Sequence, residues 1–342
     1  MHNTSRIVQK NLLQLSPCES GLWINPERDD AWRESKSRVS NLNLFCQDHG
    51  TFRFHQQAGA DAEFAAFPAQ KAHGYHWIML GLPRQKALLD MLLACTSTLL
   101  AKDGSLWLSG ENKAGIKSAD KLLRKYFRKV RKLDSARHCT LFEASHPLQQ
   151  KPFAAQSFRE EWSLDYQASI LRIRSYPGVF AHGRLDQGTA LLLNTIAGMV
   201  IEGDVLDFAC GAGVIGACIA ETNEHAKVTF LDNNALALQA CEETLDTNEL
   251  SGTVLASDGL TEVKTAYDLI ITNPPIHAGI RTDTHLSIRL LDSVREHIRP
   301  GGRLIMVANK HLPYEKWLER NFREVSELSS NDHFKIISAR RQ

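Results

Sequence analysis

The stretch "VLDFACGAGVIG", residues 205–216, decides how this chain folds. Val205 to Phe208 is a short apolar run of the kind that forms a buried strand. Gly211 and Gly213 then let the backbone turn sharply and approach a ligand closely, and a helix opens behind them. Gly211, Gly213 and Gly216 also satisfy the G-x-G-x-x-G spacing of dinucleotide sites, so a nicotinamide cofactor competes at this point. Asp207, four residues before Gly211, shifts the balance. A carboxylate there would repel a pyrophosphate and suit an ammonium group.

Working outward, apolar strands alternate with helical patterns, which argues for βαβ units on a largely parallel sheet. Strands are expected at 204–208, 226–231, 252–257, 267–272, 302–308 and 333–339. Helices are expected at 188–200, 214–222, 235–248, 286–298 and 313–322. Around 145–162 the periodicity fades and polar residues dominate. The reading is therefore a first α/β domain over 1–150, a connector at 151–163 and a second domain over 164–342.

The 342 residues are 43% hydrophobic and 23% charged, enough to bury a sizeable core. No segment has the roughly 18 apolar residues of a membrane helix. The start, "MHNTSRIVQKNLLQLS", lacks the apolar core of a signal peptide. Seven cysteines without a C-x-x-C pair suit neither a disulfide framework nor a zinc cluster, so a cytoplasmic protein without a metal is expected. The net charge of +1 conceals a split: residues 1–184 hold 26 Lys and Arg against 17 Asp and Glu, and residues 185–342 hold 14 against 22. The basic half is the candidate for meeting an anion.

Three successive strands of the second half deliver a carboxylate at their C-terminal ends: Asp207, then Asp232 in "VTFLDNN", then Asp258 in "VLASDGL". Open α/β sheets bind ligands at that rim, and an acidic residue placed like Asp232 can accept from ribose hydroxyls. A fourth strand runs into "YDLIITNPPIHAG", residues 267–279. Two prolines cannot continue a sheet, since neither offers an N–H and both fix φ. They hold Asn273 rigidly at the rim.

In this order and spacing, "DFACGAG", "FLDNN", "SDG" and "TNPPIH" resemble the Rossmann-like, class I methyltransferases that use S-adenosylmethionine. More narrowly the chain is similar to the ribosomal RNA guanine-N2 methyltransferases. "PGVFAHGRLDQGTALLL" before the glycine loop and "VANKHLPYEKWLERNF" after it extend the likeness, and "GENKAGIKSA" carries it into the first half. The resemblance implies a C-terminal catalytic domain preceded by an α/β domain like a degenerate methyltransferase that has lost its cofactor loop.

It further implies that Asp207, Gly211 and Gly213 hold the methionine end of S-adenosylmethionine, with Ala209 in the same loop. Asp232, beside Asn233, would hold the ribose; Asp258 and Gly259 would meet the adenine. Asn273, Pro274, Pro275, Ile276 and His277 would face the target base, with Asn273 also bordering the cofactor. Two residues depart from the family pattern. Ala209 stands where many relatives have glycine, and Ile276 stands where an aromatic usually stacks on the base. Phe180, grouped with the cofactor residues, and His277 are candidates to supply that stacking; a core phenylalanine and a loop histidine are their alternatives. The Asn273 side-chain oxygen and the Pro274 carbonyl can each accept one N–H of an exocyclic amine, favouring the charge that develops on nitrogen.

The first half carries "KAGIKSADKLLRKYFRKVRK", 113–132, with nine Lys and Arg and one Asp. Ile116, Leu123, Tyr126, Phe127 and Val130 fall at helical spacing, so the segment reads as a helix with a cationic face. Lys113, Lys117, Lys121, Arg124, Lys125, Arg128 and Lys129 are the expected phosphate contacts. The expectation is a monomeric enzyme that methylates N2 of a guanine in 16S ribosomal RNA. The resemblance, carried by "TNPPIH" and its companions, implies guanine 1207 in the assembled small subunit. A guanine-N2 enzyme acting on 23S RNA of the large subunit and a non-catalytic RNA-binding assembly factor are the rivals. Enzymes methylating adenine N6 or a protein glutamine also carry NPP.

Overall fold

The computed structural model describes residues 1–148, 152–274 and 293–342. The chain divides into two compact units, Met1–Arg159 and Glu160–Gln342. The charge split follows this division. The first unit carries 23 Lys and Arg against 14 Asp and Glu, the second 17 against 25.

In the first unit, β1 (Cys18–Ile24), β2 (Val39–Cys46), β3 (Ala62–Phe64), β4 (Tyr75–Gly81), β5 (Leu100–Glu111), β6 (Phe127–Ala136) and β7 (Cys139–Pro147) form one sheet. Their order is β3-β2-β1-β4-β5-β7-β6, parallel up to β5 and antiparallel beyond it. The second unit opens with a hairpin, β8 (Glu160–Tyr166) and β9 (Ser169–Ser175). Its sheet comprises β10 (Gly203–Phe208), β11 (Ala226–Asp232), β12 (Thr253–Ala256), β13 (Tyr267–Thr272), β14 (Ile298–Asn309), β15 (Arg323–Ser330) and β16 (Phe334–Arg340). The order β12-β11-β10-β13-β14-β16-β15 repeats that of the first unit strand for strand.

Helices on the sheet faces explain why the central strands are apolar along their length, since both faces are covered. Leu206, Ile270, Leu304 and Met306 are fully buried in the second unit, as are Ile78, Leu80, Leu106 and Leu108 in the first. The six expected strands of the second half all form, within a few residues. The expected helix at 286–298 lies mostly outside the described residues. Two strand regions differ from the sequence reading. β15 is largely exposed and polar, and its one strand partner is β16, to which it pairs antiparallel, so no apolar alternation announces it. Residues 160–163, expected within a connector, belong to β8.

The third difference is the basic segment. Its helix spans only Ala119–Tyr126, after a short 3-10 turn at Ile116–Ser118, and Phe127 starts β6. The greasy residues do enter the core: Ile116, Leu123, Tyr126, Phe127 and Val130 are buried together. Phe127 and Val130 reach it from an edge strand on which Arg128, Lys129, Arg131 and Lys132 are exposed. Helical spacing therefore identified the burial and not the element.

A candidate active site at the rim of the second sheet

Each βα turn of the second unit brings one part of the site to the C-terminal rim of the sheet. After β10 the chain passes through Ala209 (φ 59°), Gly211 (φ 56°) and Gly213 (φ 78°), all left-handed. Alanine adopts that region at a cost of roughly 1–2 kcal/mol, which is how the loop dispenses with its usual first glycine. A side chain at Gly211 would meet nothing within 4 Å, so the loop there faces open space. At Gly213 a Cβ would lie 2.7 Å from the Cys241 sulfur, and at Gly216 it would lie 2.3 Å from the Phe230 ring. The first glycine leaves room for a ligand, Gly213 makes way for Cys241, and Gly216 lets the following helix, Val214–Thr222, pack against Phe230 of β11.

Asp207 lies beneath this loop, fully buried. Its Oδ2 accepts from the Gly216 N–H at 2.8 Å, while Oδ1 has no hydrogen-bond partner in the described structure. Burial pushes its carboxyl up to about 7, helped by the nearby charge of Asp232 and opposed by the Gly216 bond. An orphaned buried oxygen fits a cationic ligand at the loop above it. A raised folded-state pKa stabilises the protonated fold below about pH 4, and that stability is lost as pH rises through 7. The free protein should therefore lose about 1 kcal/mol between pH 6 and 8 through this group. Denaturation of wild type and Asp207→Asn at both pH values checks this; identical pH dependence would refute it.

Asp232 ends β11 and braces the loop: its Oδ2 accepts from Gly211 N–H at 2.9 Å and its Oδ1 from Asn234 N–H at 2.9 Å. Asn233 stands beside it. Asp258 and Gly259 follow β12 on the same rim, and Gly259 (φ 64°) would meet nothing within 4 Å if it carried a Cβ. Asn273 and Pro274 follow β13. Thr272 donates to the Phe208 carbonyl at 2.6 Å, fastening this rim to the glycine-loop strand. Pro275, Ile276 and His277 lie outside the described residues.

A cleft between these elements is lined by Phe180, Asp186, Thr189, Ala209, Gly211 and Asn273, with Trp162, Ile173 and Ser175 from the β8–β9 hairpin. Asp207, Asp232 and Asp258 do not line it; Asp207 is buried beneath the loop. Phe180 is 57% exposed, so it is no core residue and offers its ring to the cleft. The loop that carries it is pinned by Tyr176 to Glu243 at 2.7 Å and by Ser175 to His182 at 2.9 Å. Sequence reasoning assigned no role to Asp186 and Thr189. Asp186 caps the helix Gln187–Ile196, accepting on Oδ2 from the Gly188 and Thr189 N–H groups. The Asn273 Nδ2 donates to that same Oδ2 at 3.0 Å and to the Thr189 hydroxyl at 2.9 Å.

The first unit offers the same rim with different chemistry. Strand registers place Trp23 where the second sheet has Asp207, Cys46 where it has Asp232, and Gly81 where it has Asn273. Asn25 (φ 50°) takes the place of Ala209, and its amide bonds reciprocally with Gln47, closing the rim. No glycine loop follows.

The basic segment presents seven expected contacts in two conditions. Lys113, Arg124 and Lys125 pair with Glu111, Asp120 and Asp90. Lys117, Lys121, Arg128 and Lys129 are exposed and have no ion-pair partner among the described residues.

Strand order, glycine loop and rim asparagine define a class I methyltransferase. Residues 170–338 match the methyltransferase small domain and residues 5–162 its N-terminal companion. The protein called ribosomal RNA small subunit methyltransferase C is 40% identical in Pseudomonas aeruginosa over 84% of this chain and 86% of that one. Its namesake in Shewanella amazonensis is 33% identical over the full length of both. The T. thermophilus 16S rRNA N2 G1207 methyltransferase, solved with AdoMet and guanosine, shares the fold across 98% of this chain and 92% of its own, with a TM-score of 0.85 at 22% identity. The chain belongs to the ribosomal RNA small subunit methyltransferase C family. Among the described residues no helix is long and apolar enough to cross a membrane.

Proposed function

We propose that the protein transfers a methyl group from S-adenosylmethionine to N2 of a guanine in 16S ribosomal RNA, with guanine 1207 of the small subunit as the target. The observation that carries this reading is Asn273. It stands at the end of a buried strand, tied to the cleft, beside an open left-handed loop over an orphaned carboxylate. S-adenosylmethionine supplies an electrophilic methyl group. The open faces at Gly211 and Gly259, the Asp207 carboxylate behind the loop and the Asp232 carboxylate at the rim fit its amino-acid and nucleoside ends.

The guanine amine is a poor nucleophile because its lone pair is delocalised into the ring. Asn273 Oδ1 and the Pro274 carbonyl accept its two N–H bonds, so the lone pair is freed for the methyl carbon and the positive charge growing on nitrogen is stabilised. The methylated nitrogen is acidic and loses its proton without a strong base. Phe180 supplies the ring that Ile276 cannot. A base inside a duplex must be extruded to reach the cleft.

The RNA backbone is held by the first unit, at the exposed cations around β6. Lys117, Lys121, Arg128 and Lys129 carry most of this attraction, since carboxylates already neutralise Lys113, Arg124 and Lys125. Reversing Lys121, Arg128 and Lys129 to Glu should weaken RNA binding and reduce the slope of log affinity against log salt by about 1 for each lost phosphate contact. Binding that is unchanged across a salt titration would remove this face from the interface. The enzyme works in the cytoplasm as a monomer.

The test of the whole reading is transfer of labelled methyl to purified unmethylated small subunits, large subunits and free ribosomal RNAs in parallel, followed by nucleoside analysis. N2-methylguanosine in 16S RNA is the expected product. Label confined to large subunits would overturn the substrate, and another methylated nucleoside would overturn the base.

A further inference from the structure

The segment "LDQGT", residues 185–189, precedes the glycine loop and has so far only a capping role. We infer that Asp186 and Thr189 are positioning residues that lock the side-chain amide of Asn273 in one sense, oxygen toward the substrate. This inference rests on the role proposed above for Asn273.

The hydrogen-bond partners of a single amide fix this sense. Asn273 Nδ2 has two hydrogens and two partners, Asp186 Oδ2 at 3.0 Å and Thr189 Oγ1 at 2.9 Å. Turning the amide over would set its oxygen against the Asp186 carboxylate, acceptor against acceptor. Thr189 alone could not decide the matter, because a hydroxyl donates as readily as it accepts. Asp186 does decide it, because the same Oδ2 already accepts from the Gly188 and Thr189 N–H groups. With both hydrogens engaged, Oδ1 is the only side-chain polar atom Asn273 has left for the cleft.

The surrounding residues keep this arrangement rigid. Asp186 Oδ2 is itself fixed by the Gly188 and Thr189 N–H groups at 2.8 and 3.0 Å. Gly188 leaves the space: a Cβ there would stand 3.1 Å from Asp186 Oδ2 and 2.9 Å from the Val307 side chain. Thr189 is buried at 6% exposure. The clamp thus makes the rim of β13 an obligate acceptor. It selects bases that present an exocyclic amine and excludes those that present a carbonyl, while the remaining contacts choose among the amines.

The test uses the full chain with unmethylated small subunits and four variants: Asp186→Ser, Thr189→Val, Thr189→Ser and Asn273→Ala. Serine retains the helix cap, but its hydroxyl can donate as well as accept and no longer fixes the sense of the amide. Asp186→Ser should lower kcat about 10- to 100-fold, and Thr189→Val, which leaves the sense of the amide fixed but one of its hydrogens unheld, about 3- to 10-fold. The dissociation constant for S-adenosylmethionine, measured by calorimetry, should stay within about threefold, and Thr189→Ser should restore most of kcat. Wild-type kcat in both Asp186→Ser and Thr189→Val, with Asn273→Ala inactive, overturns the clamp and leaves the role of Asn273 standing. Full activity in Asn273→Ala overturns that role and the clamp with it. A loss that appears wholly in cofactor affinity also overturns the clamp, because it assigns these residues to the cofactor.

Discussion

Asn273→Ala is expected to lower kcat about 10²- to 10³-fold, the effect of removing one preorganised charge-stabilising group from an active site. Binding of S-adenosylmethionine should change little, because the glycine loop, Asp207 and Asp232 are untouched. The size of the effect follows from where the side chain is held. Strand β13 is buried from Leu269 to Thr272, and the Thr272 hydroxyl ties its end to the Phe208 carbonyl at 2.6 Å. The amide that follows therefore needs no ordering when substrate arrives. Alanine leaves the strand in place and deletes the acceptor together with the two Nδ2 hydrogen bonds to Asp186 and Thr189, so the thermal midpoint should fall by only a few degrees, a loss of about 1–2 kcal/mol. A single-turnover rate within about threefold of wild type would show that Asn273 does not act on the reacting nitrogen.

The second large effect is on stability. Phe230→Ala should destabilise the second unit by about 3–5 kcal/mol. The Phe230 ring is fully buried and sits in a slot made by glycines: hypothetical Cβ atoms at Gly216 and Gly252 would lie 2.3 and 2.5 Å from it. Removing the ring empties that slot directly under the helix that follows the cofactor loop. Filling it from the other side, with Gly216→Ala, should cost about 1–3 kcal/mol by overpacking. Urea denaturation of the full chain, read with probes in each unit, checks both. A loss below about 1 kcal/mol in Phe230→Ala would mean that the slot collapses without penalty. The same variant should weaken cofactor binding, since the loop loses its support.

Much of the second sheet was legible because its strands are short apolar runs closed by polar residues or glycines, as at Gly211, Asp232 and Asn273. β15 was not, because its pairing with β16 supplies the stability that its own exposed, polar residues do not advertise. The segment 113–132 misled for a related reason. Phe127 and Val130 are three apart both on a helix face and on this irregular edge strand, so spacing alone cannot separate the two. Family likeness located Asn273, Asp232 and the glycine loop. It gave no role to Asp186 or Thr189, whose partner lies 87 and 84 residues away along the chain. Asp207 was expected to touch the cofactor. It lies fully buried beneath the loop, with its Oδ1 left without a partner among the described residues.

The duplicated strand order has a consequence for how the chain acquires its fold. Two sheets with the same topology in one polypeptide present each other with near-equivalent vacancies while both are unfolded, and cross-pairing of that kind is a known failure of tandem domains. Here the first sheet is assembled wholly from strands that precede Arg159. It can close while β10 to β16 are still being synthesised, since domains fold N-terminal first as the chain emerges. Divergence of the two cores, tryptophan-rich around Trp23, Trp77 and Trp107 in the first and built on Phe230 and β-branched residues in the second, adds a second barrier to exchange. Order of synthesis and mismatch of packing together let a repeated architecture mature without mistaking one copy for the other.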